Sequence, residues 1–370
     1  MSFISVLERY DDFNFEDFFS SISIEDVKRS LKKEFLDEKD LLILISPKAK
    51  EMIEEIAKRA KKEHLKHFGN TVLIYTPLYI SNYCVNQCAY CGFNHTNKIQ
   101  RAKLTVDEIL SESEKIASEG IKDILLLTGE SKKHTSLEYL KEAVSILNEK
   151  FESIGIEIYP MDEFEYEELS NLGVDFVSVY QETYNKKRYD EVHLKGPKKN
   201  FEYRLNTPER ALKAGVRGVS IGALLGLDDF RKDAFFGALH GKYLIDKFPS
   251  AEVSFSFPRL RPHAGSFKPS TILEEVDLAQ IMMAFRIFMP FAGMNLSTRE
   301  GMKFRNGMLG LAPTKMSAGV LTSVGGHGNE QKGDEQFVIN DDRSIEGMIQ
   351  DLKARGYQGI LKDYVNLTKY

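Results

Sequence analysis

The chain has 370 residues, a natural length for one (β/α)8 barrel of ~250 residues with extensions, and its 42% hydrophobic content supports a large core. A formal net charge of −5 argues against a nucleic-acid partner, whose binding domain would be basic. No apolar run approaches the ~20 residues needed to cross a bilayer, and Met1-Ser2-Phe3 leads into acidic sequence rather than a secretory leader; a cytoplasmic protein with no membrane partner is expected.

Residues 1–70 read as charged helices, with Ser23-Ile24-Glu25-Asp26 a capping start and Pro47 opening the periodic run Met52, Ile53, Ile56, Ala57, Ala60. They form an N-terminal extension expected to pack on the main domain and keep a solvated outer face. Thr71-Val72-Leu73-Ile74-Tyr75 then begins a strand. Directly after it comes Tyr83-Cys84-Val85-Asn86-Gln87-Cys88-Ala89-Tyr90-Cys91-Gly92-Phe93, which holds all three cysteines of the chain in a C-x3-C-x2-C arrangement. From there helix and strand alternate: strands are expected at 121–127, 156–160, 174–180, 216–221 and 251–257. Helices are expected at 104–120, 136–150, 163–172, 208–214, 231–248 and 277–288. Such alternation implies a parallel sheet with crossover helices, an α/β TIM-type barrel over 71–311. Beyond residue 312 the chain turns glycine-rich, with Gly325-Gly326-His327-Gly328, and a loop this long reads as a lid. A last helix from Ser344 to Arg355 completes a C-terminal extension, 312–370.

Three thiolates so close together suit zinc or an iron-sulfur cluster. Zinc would want a fourth protein ligand, for which His95 is nearest. A cluster held by three cysteines leaves one iron open to a small molecule. An odd, clustered set also fits a reducing compartment and excludes a disulfide scaffold. In a parallel barrel the chemistry gathers at the C-terminal ends of the strands. The polar sets expected to converge there are the cysteine loop, Thr128-Gly129-Glu130, Gln181-Glu182-Thr183-Tyr184, Gly222 to Gly226, Pro258-Arg259-Leu260-Arg261-Pro262 and Ser297-Thr298-Arg299-Glu300.

The cysteine spacing, with Tyr90 before the third thiol and Gly92-Phe93 after it, resembles the radical S-adenosylmethionine (SAM) superfamily. Tyr180 to Tyr184, Tyr203 to Arg210, Ile221 to Leu227, Ser256 to Pro262, Leu296 to Glu300 and the closing Asp341-Asp342-Arg343 are similar to the 2-iminoacetate synthases, the tyrosine lyases of thiamine biosynthesis. The resemblance implies that Cys84, Cys88 and Cys91 hold a 4Fe-4S cluster whose open iron chelates SAM. Reductive cleavage of SAM to methionine and a 5'-deoxyadenosyl radical would then break the Cα–Cβ bond of L-tyrosine, giving 2-iminoacetate and p-cresol. It further implies that Thr128, Gly129 and Glu130 meet the methionyl amine, Glu182 the ribose and Arg204 the SAM carboxylate. Tyr90 and Phe93 would flank the adenine, with Gly222 and Leu224 letting backbone approach it. A low-potential electron donor and a thiazole synthase are the partners implied.

For the substrate carboxylate, position at the late strand ends points to Arg299 and Arg261, with Arg259 third and Ser297 assisting Arg299. His327 and His193 are candidate proton relays for the phenol, set against the simpler reading of structural or exposed histidines. The competing readings are a lyase of the hydrogenase-maturation type or for another aromatic amino acid, and, from a different class, an iron-sulfur or zinc binding module without catalysis. No cysteine follows Cys91, so a second cluster of the hydrogenase-maturation kind has no thiolate ligands.

Overall fold

The computed structural model describes residues 2–260 and 267–364. Eight parallel strands follow one another around a closed ring: β1 (Thr71–Ser81), β2 (Asp123–Thr128), β3 (Ser153–Glu157), β4 (Val174–Glu182), β5 (Gly218–Ala223), β6 (Glu252–Ser256), β7 (Gly293–Leu296) and β8 (Lys315–Ser317). Pairing of β8 with β1, and of β1 with β2, closes it. The result is a TIM-type (β/α)8 barrel, with helices such as Val106–Ser118, Phe230–Lys247 and Glu275–Phe288 on the outside. Strands buried on both faces are made of continuous apolar runs; in β1 every residue after Thr71 is buried.

The ends of these elements are written locally. Ser23 caps the helix Ile24–Lys32 in a reciprocal box with Asp26, and Thr105 does the same with Glu108 for Val106–Ser118. The N-terminal helices lie against the barrel: Leu41, Leu44, Ile45 and Ile56 are fully buried, and the helix Ile53–Phe68 packs along Glu275–Phe288. Pro47 opens a 3-10 turn, Lys48–Met52, before that helix begins at Ile53.

Two expectations shift. The third strand starts at Ser153 rather than Ile156, because Ser153 and Gly155, poor strand formers, are drawn into register with Asp123 and Leu125 of β2. The eighth strand lies beyond the expected boundary at 311, so the barrel reaches residue 317. It is only three residues long and is held in place by its two neighbours, β1 and β7. A ninth strand, β9 (Gln358–Ile360), pairs with the first residues of β1, beneath the stretch that pairs with β2.

Residues 318–344, the glycine-rich stretch, lie across the C-terminal mouth of the barrel. Their backbone is pinned at several points. The peptide N–H groups of Gly326, His327 and Asn329 donate to the buried carboxylate of Glu112 at 3.2, 2.8 and 2.8 Å. Gln336 N–H donates to Thr322 and Asn340 N–H to Thr298, and the Tyr79 hydroxyl donates to the Gln336 side chain at 2.8 Å. Below them Asp341 pairs with both Arg305 and Arg343. This cap carries Gln336 and Phe337 to the cavity beneath.

Candidate active site

The cysteine loop leaves β1 at Ser81 and is clamped on two sides. Val85 N–H donates to the Glu130 carbonyl at 3.1 Å, while Gln87 N–H and Ala89 N–H donate to Lys195 and Val192 at 2.8 and 2.9 Å. Gly129, at the end of β2, lies so close that a Cβ there would stand 2.4 Å from the Tyr83 carbonyl oxygen. Cys84, Cys88 and Cys91 thereby face one cavity of about 970 Å3, counting its open mouth. Burial pushes the Cys91 thiol up to about 11 and raises Cys84 and Cys88 as well, so ligation must displace protons.

Beside the thiols sits a quartet of buried charges. Glu182, the last residue of β4, has φ +72°, the left-handed region that a non-glycine residue occupies only under constraint. Its carboxylate accepts from Lys198 Nζ at 2.7 Å. Arg204 donates through one terminal nitrogen to Glu130 at 2.9 Å and through Nε to the Tyr180 carbonyl at 2.6 Å, and its second terminal nitrogen is a long 3.5 Å from Glu182. Asn86, inside the cysteine loop, donates to the other Glu130 oxygen at 2.8 Å. Burial raises both carboxyls, yet the two cations overcome it and hold Glu130 and Glu182 below the usual carboxylate range.

The remaining expected residues fall as follows. Tyr90, Phe93, Thr128 and Leu224 line the cavity with the thiols. Gly222 does not: it sits in β5 where a Cβ would stand 2.2 Å from the Ser256 carbonyl oxygen, so the absent side chain serves strand packing. Arg299 reaches both this cavity and a second one of about 700 Å3 deeper in the barrel, where Ser297 lies. The Arg299 guanidinium stacks on Phe337 of the cap at 3.5 Å, and Arg299 N–H donates to the Ser297 hydroxyl at 3.4 Å. Arg261 lies outside the described residues. Arg259 is already committed to Glu300 in a two-pronged pair at 2.7 and 2.5 Å, which removes it as a substrate partner.

Neither histidine reaches the cavity. His193 is buried and, lowered to about 3 by burial first and Lys198 next, neutral. Its Nδ1–H donates to Tyr189 and its Nε2 accepts from the Tyr90 hydroxyl at 2.7 Å, so it positions Tyr90. His327 is anchored through its peptide to Glu112. His95 is exposed and is not on the cavity wall.

The sequence reading missed Lys198, Asn86, Tyr180, Glu157, Gln336 and Phe337, all of which line the cavity. Lys198 sits in Gly196-Pro197-Lys198-Lys199, which reads as a solvated charged turn. The signal available was its position between Glu182 and Arg204.

The donor set fits the cofactors that the cysteine spacing implies. Three thiols face a cavity of the size that small-molecule ligands occupy, the Thr128 hydroxyl is buried there with no hydrogen-bond partner among the described residues, and anionic and cationic side chains suited to an amino-acid head group stand beside it. These features define a radical SAM enzyme, and comparison with known proteins agrees: residues 78–234 match the Radical SAM superfamily and residues 256–358 the Biotin and Thiamin Synthesis associated domain. Radical SAM enzymes work with a 4Fe-4S cluster and SAM.

Within that class the chain belongs to the 2-iminoacetate synthase family. It is 41% identical to the 2-iminoacetate synthase of Escherichia coli K12 over 92% of this chain and 90% of that protein. It is 39% identical to the Salmonella typhimurium 2-iminoacetate synthase over the same shares. Among solved structures, the FeFe-hydrogenase maturase HydG from Carboxydothermus hydrogenoformans superposes with a TM-score of 0.84 at 30% identity, covering 96% of this chain and 82% of that one.

Proposed function

We propose that this protein cleaves the Cα–Cβ bond of L-tyrosine to 2-iminoacetate and p-cresol, supplying the imine from which the thiazole of thiamine is built. The observation that carries the reading is one cavity, at the C-terminal mouth of the barrel, walled by three cysteines, the Glu130–Arg204–Glu182–Lys198 quartet and Arg299. The cluster and SAM, when bound, supply hydrogen-abstracting radical chemistry; the chain holds the reactants and keeps out water.

Cys84, Cys88 and Cys91 would ligate the cluster. Glu130 would receive the methionyl ammonium, with the Thr128 hydroxyl and Gly129 beside it. Glu182 would take the ribose hydroxyls, and Tyr90, Phe93 and Leu224 would enclose the adenine. Arg204, whose Nε and one terminal nitrogen are committed to Tyr180 and Glu130, would hold the SAM carboxylate with its remaining donors, and Lys198 would supply a second cation. Arg299, steadied by Ser297 and Phe337, takes the tyrosine carboxylate, with Arg261 a second candidate. A low-potential electron donor and a thiazole synthase to receive the imine are the partners this chemistry asks for, in a reducing cytoplasm. Among the described residues no helix is long and apolar enough to cross a membrane.

The test is anaerobic reconstitution with iron and sulfide, followed by dithionite, SAM and L-tyrosine. Equal yields of 5'-deoxyadenosine, p-cresol and glyoxylate, the hydrolysis product of 2-iminoacetate, without cyanide, are expected. Cleavage of SAM without p-cresol would leave the cofactor assignment standing and refute the substrate. Cyanide would favour the hydrogenase-maturation chemistry.

A further inference from the structure

Glu157 ends β3 and lines the wall shared by the two cavities, as do Arg299 and Tyr180. Its neighbours Ile156 and Ile158 are buried in the core, and of these three side chains Glu157 is the one that reaches both cavities. No ion pair joins Glu157 to Arg299 among the described residues; the two opposite charges stand on strands from different parts of the ring, β3 and the end of β7, and face a common space. An α-amino acid carries an ammonium and a carboxylate on one carbon, so a carboxylate and a guanidinium facing one space are its complement.

We propose that Glu157 is the substrate-recognition residue for the α-ammonium of L-tyrosine, opposite Arg299 at the carboxylate, with the aromatic ring directed into the deeper cavity. This inference rests on the tyrosine-lyase reading. It adds the group that distinguishes an amino acid from a carboxylic acid with the same aromatic ring. The charged and titratable groups facing Glu157 are Arg299, Tyr180, Glu182, Lys198, Tyr75 and Tyr79. Burial is the largest influence and, opposed by Arg299, leaves the Glu157 carboxyl pushed up to about 7. The ionised form is the one that accepts from an ammonium. Tyrosine binding is therefore full above that value and weakens as pH falls through it, by up to tenfold per unit below.

The experiment compares L-tyrosine with desaminotyrosine, which keeps the phenol and the carboxylate and lacks the amine, by equilibrium dialysis against the anaerobic holoenzyme with SAM. The wild type is expected to prefer tyrosine by about tenfold to a hundredfold, and that preference is expected to shrink between pH 8 and pH 6 (about one unit on either side of the Glu157 value) while desaminotyrosine binding stays level. Glu157→Gln is expected to lose the preference and keep desaminotyrosine binding, and Glu157→Asp to regain part of it. A preference that persists in Glu157→Gln, or that does not change with pH in the wild type, overturns the inference while p-cresol formation by the wild type leaves the tyrosine-lyase reading intact. Absence of p-cresol from the wild type overturns that reading instead. Should Glu157→Gln fail to fold, the pH comparison in the wild type decides alone.

Discussion

Lys198 reaches Glu182 at 2.7 Å and Glu130 at 3.6 Å, and all three side chains are largely withdrawn from water. Two carboxylates are tolerable there because two cations answer them. Lys198→Met removes one cation and keeps the volume of the stem, so Arg204 alone must serve both anions. Breaking such a pair typically costs about 3–5 kcal/mol. Urea denaturation is expected to show a loss of this order, and SAM affinity of the reconstituted protein to fall with it; an unchanged unfolding midpoint would mean that the quartet does not act as a unit. Glu157 and Lys198 were hidden for opposite reasons. A glutamate alternating with isoleucines, as in Ile156-Glu157-Ile158, has the pattern of a solvent-facing strand position, and only closure of the barrel turns that face inward. A lysine between Pro197 and Lys199 looks like surface charge, and only the return of the chain to Glu182 buries it. The thiols needed no such long-range information, because their spacing lies within one loop.

At the scale of elements, the cysteine loop and the end of β2 touch backbone to backbone. Gly129→Ala forces a Cβ to within 2.4 Å of the Tyr83 carbonyl oxygen, and the loop must move because β2 is fixed by its pairing with β1 and β3. The expected outcome is a folded protein, with unchanged far-ultraviolet circular dichroism, that retains fewer iron and sulfide equivalents per chain. The cap offers two further tests. Glu112 accepts three peptide N–H bonds from it, and Glu112→Gln replaces a charged acceptor by a neutral one that must also place two donors. A loss of about 1–3 kcal/mol and faster hydrogen exchange confined to residues 325–329 are expected; uniform acceleration across the chain would point to global unfolding instead. Asp341 is pushed up by burial, but Arg343 and Arg305 prevail and hold its carboxyl below the ordinary value. Its contribution is thus complete above about pH 4 and is lost as pH falls through the lower folded value. Asp341→Asn should cost about 3 kcal/mol or more at neutral pH by leaving the buried Arg305 unanswered, and should flatten the acid limb of the stability curve measured by urea midpoints. Strand boundaries were legible where apolar runs are long, as in β1 and β4. They were illegible in β8, where Lys315-Met316-Ser317 carries no period and becomes a strand only through β1 and β7.

Across the whole molecule, the N-terminal extension reaches the rear of the active-site loops. Phe3 is fully buried, stacked on His240 at 4.2 Å and edge-on to Tyr184, two residues past Glu182. Burial lowers His240 to about 3, so it packs as a neutral ring that bonds the Tyr184 hydroxyl at 3.1 Å. Phe3→Ala opens a void under that loop and is expected to cost about 3–5 kcal/mol by thermal or urea unfolding. The barrel class was legible from the alternation of helix and strand, and the extension from its charged helices. The reach of residue 3 to residue 240 was not, since no local pattern encodes a contact of that separation.

The cap has a thermodynamic consequence of its own. Fixing backbone costs on the order of 1–2 kcal/mol per residue, and a loop that orders only around its ligand subtracts that cost from the ligand's affinity. Residues 318–344 are tied to the rest of the chain by bonds from Glu112, Thr298 and Tyr79. Each of these offsets part of the entropy of ordering the mouth with groups that folding itself supplies. To that extent, what SAM and tyrosine gain on binding remains available for orienting two zwitterions against each other.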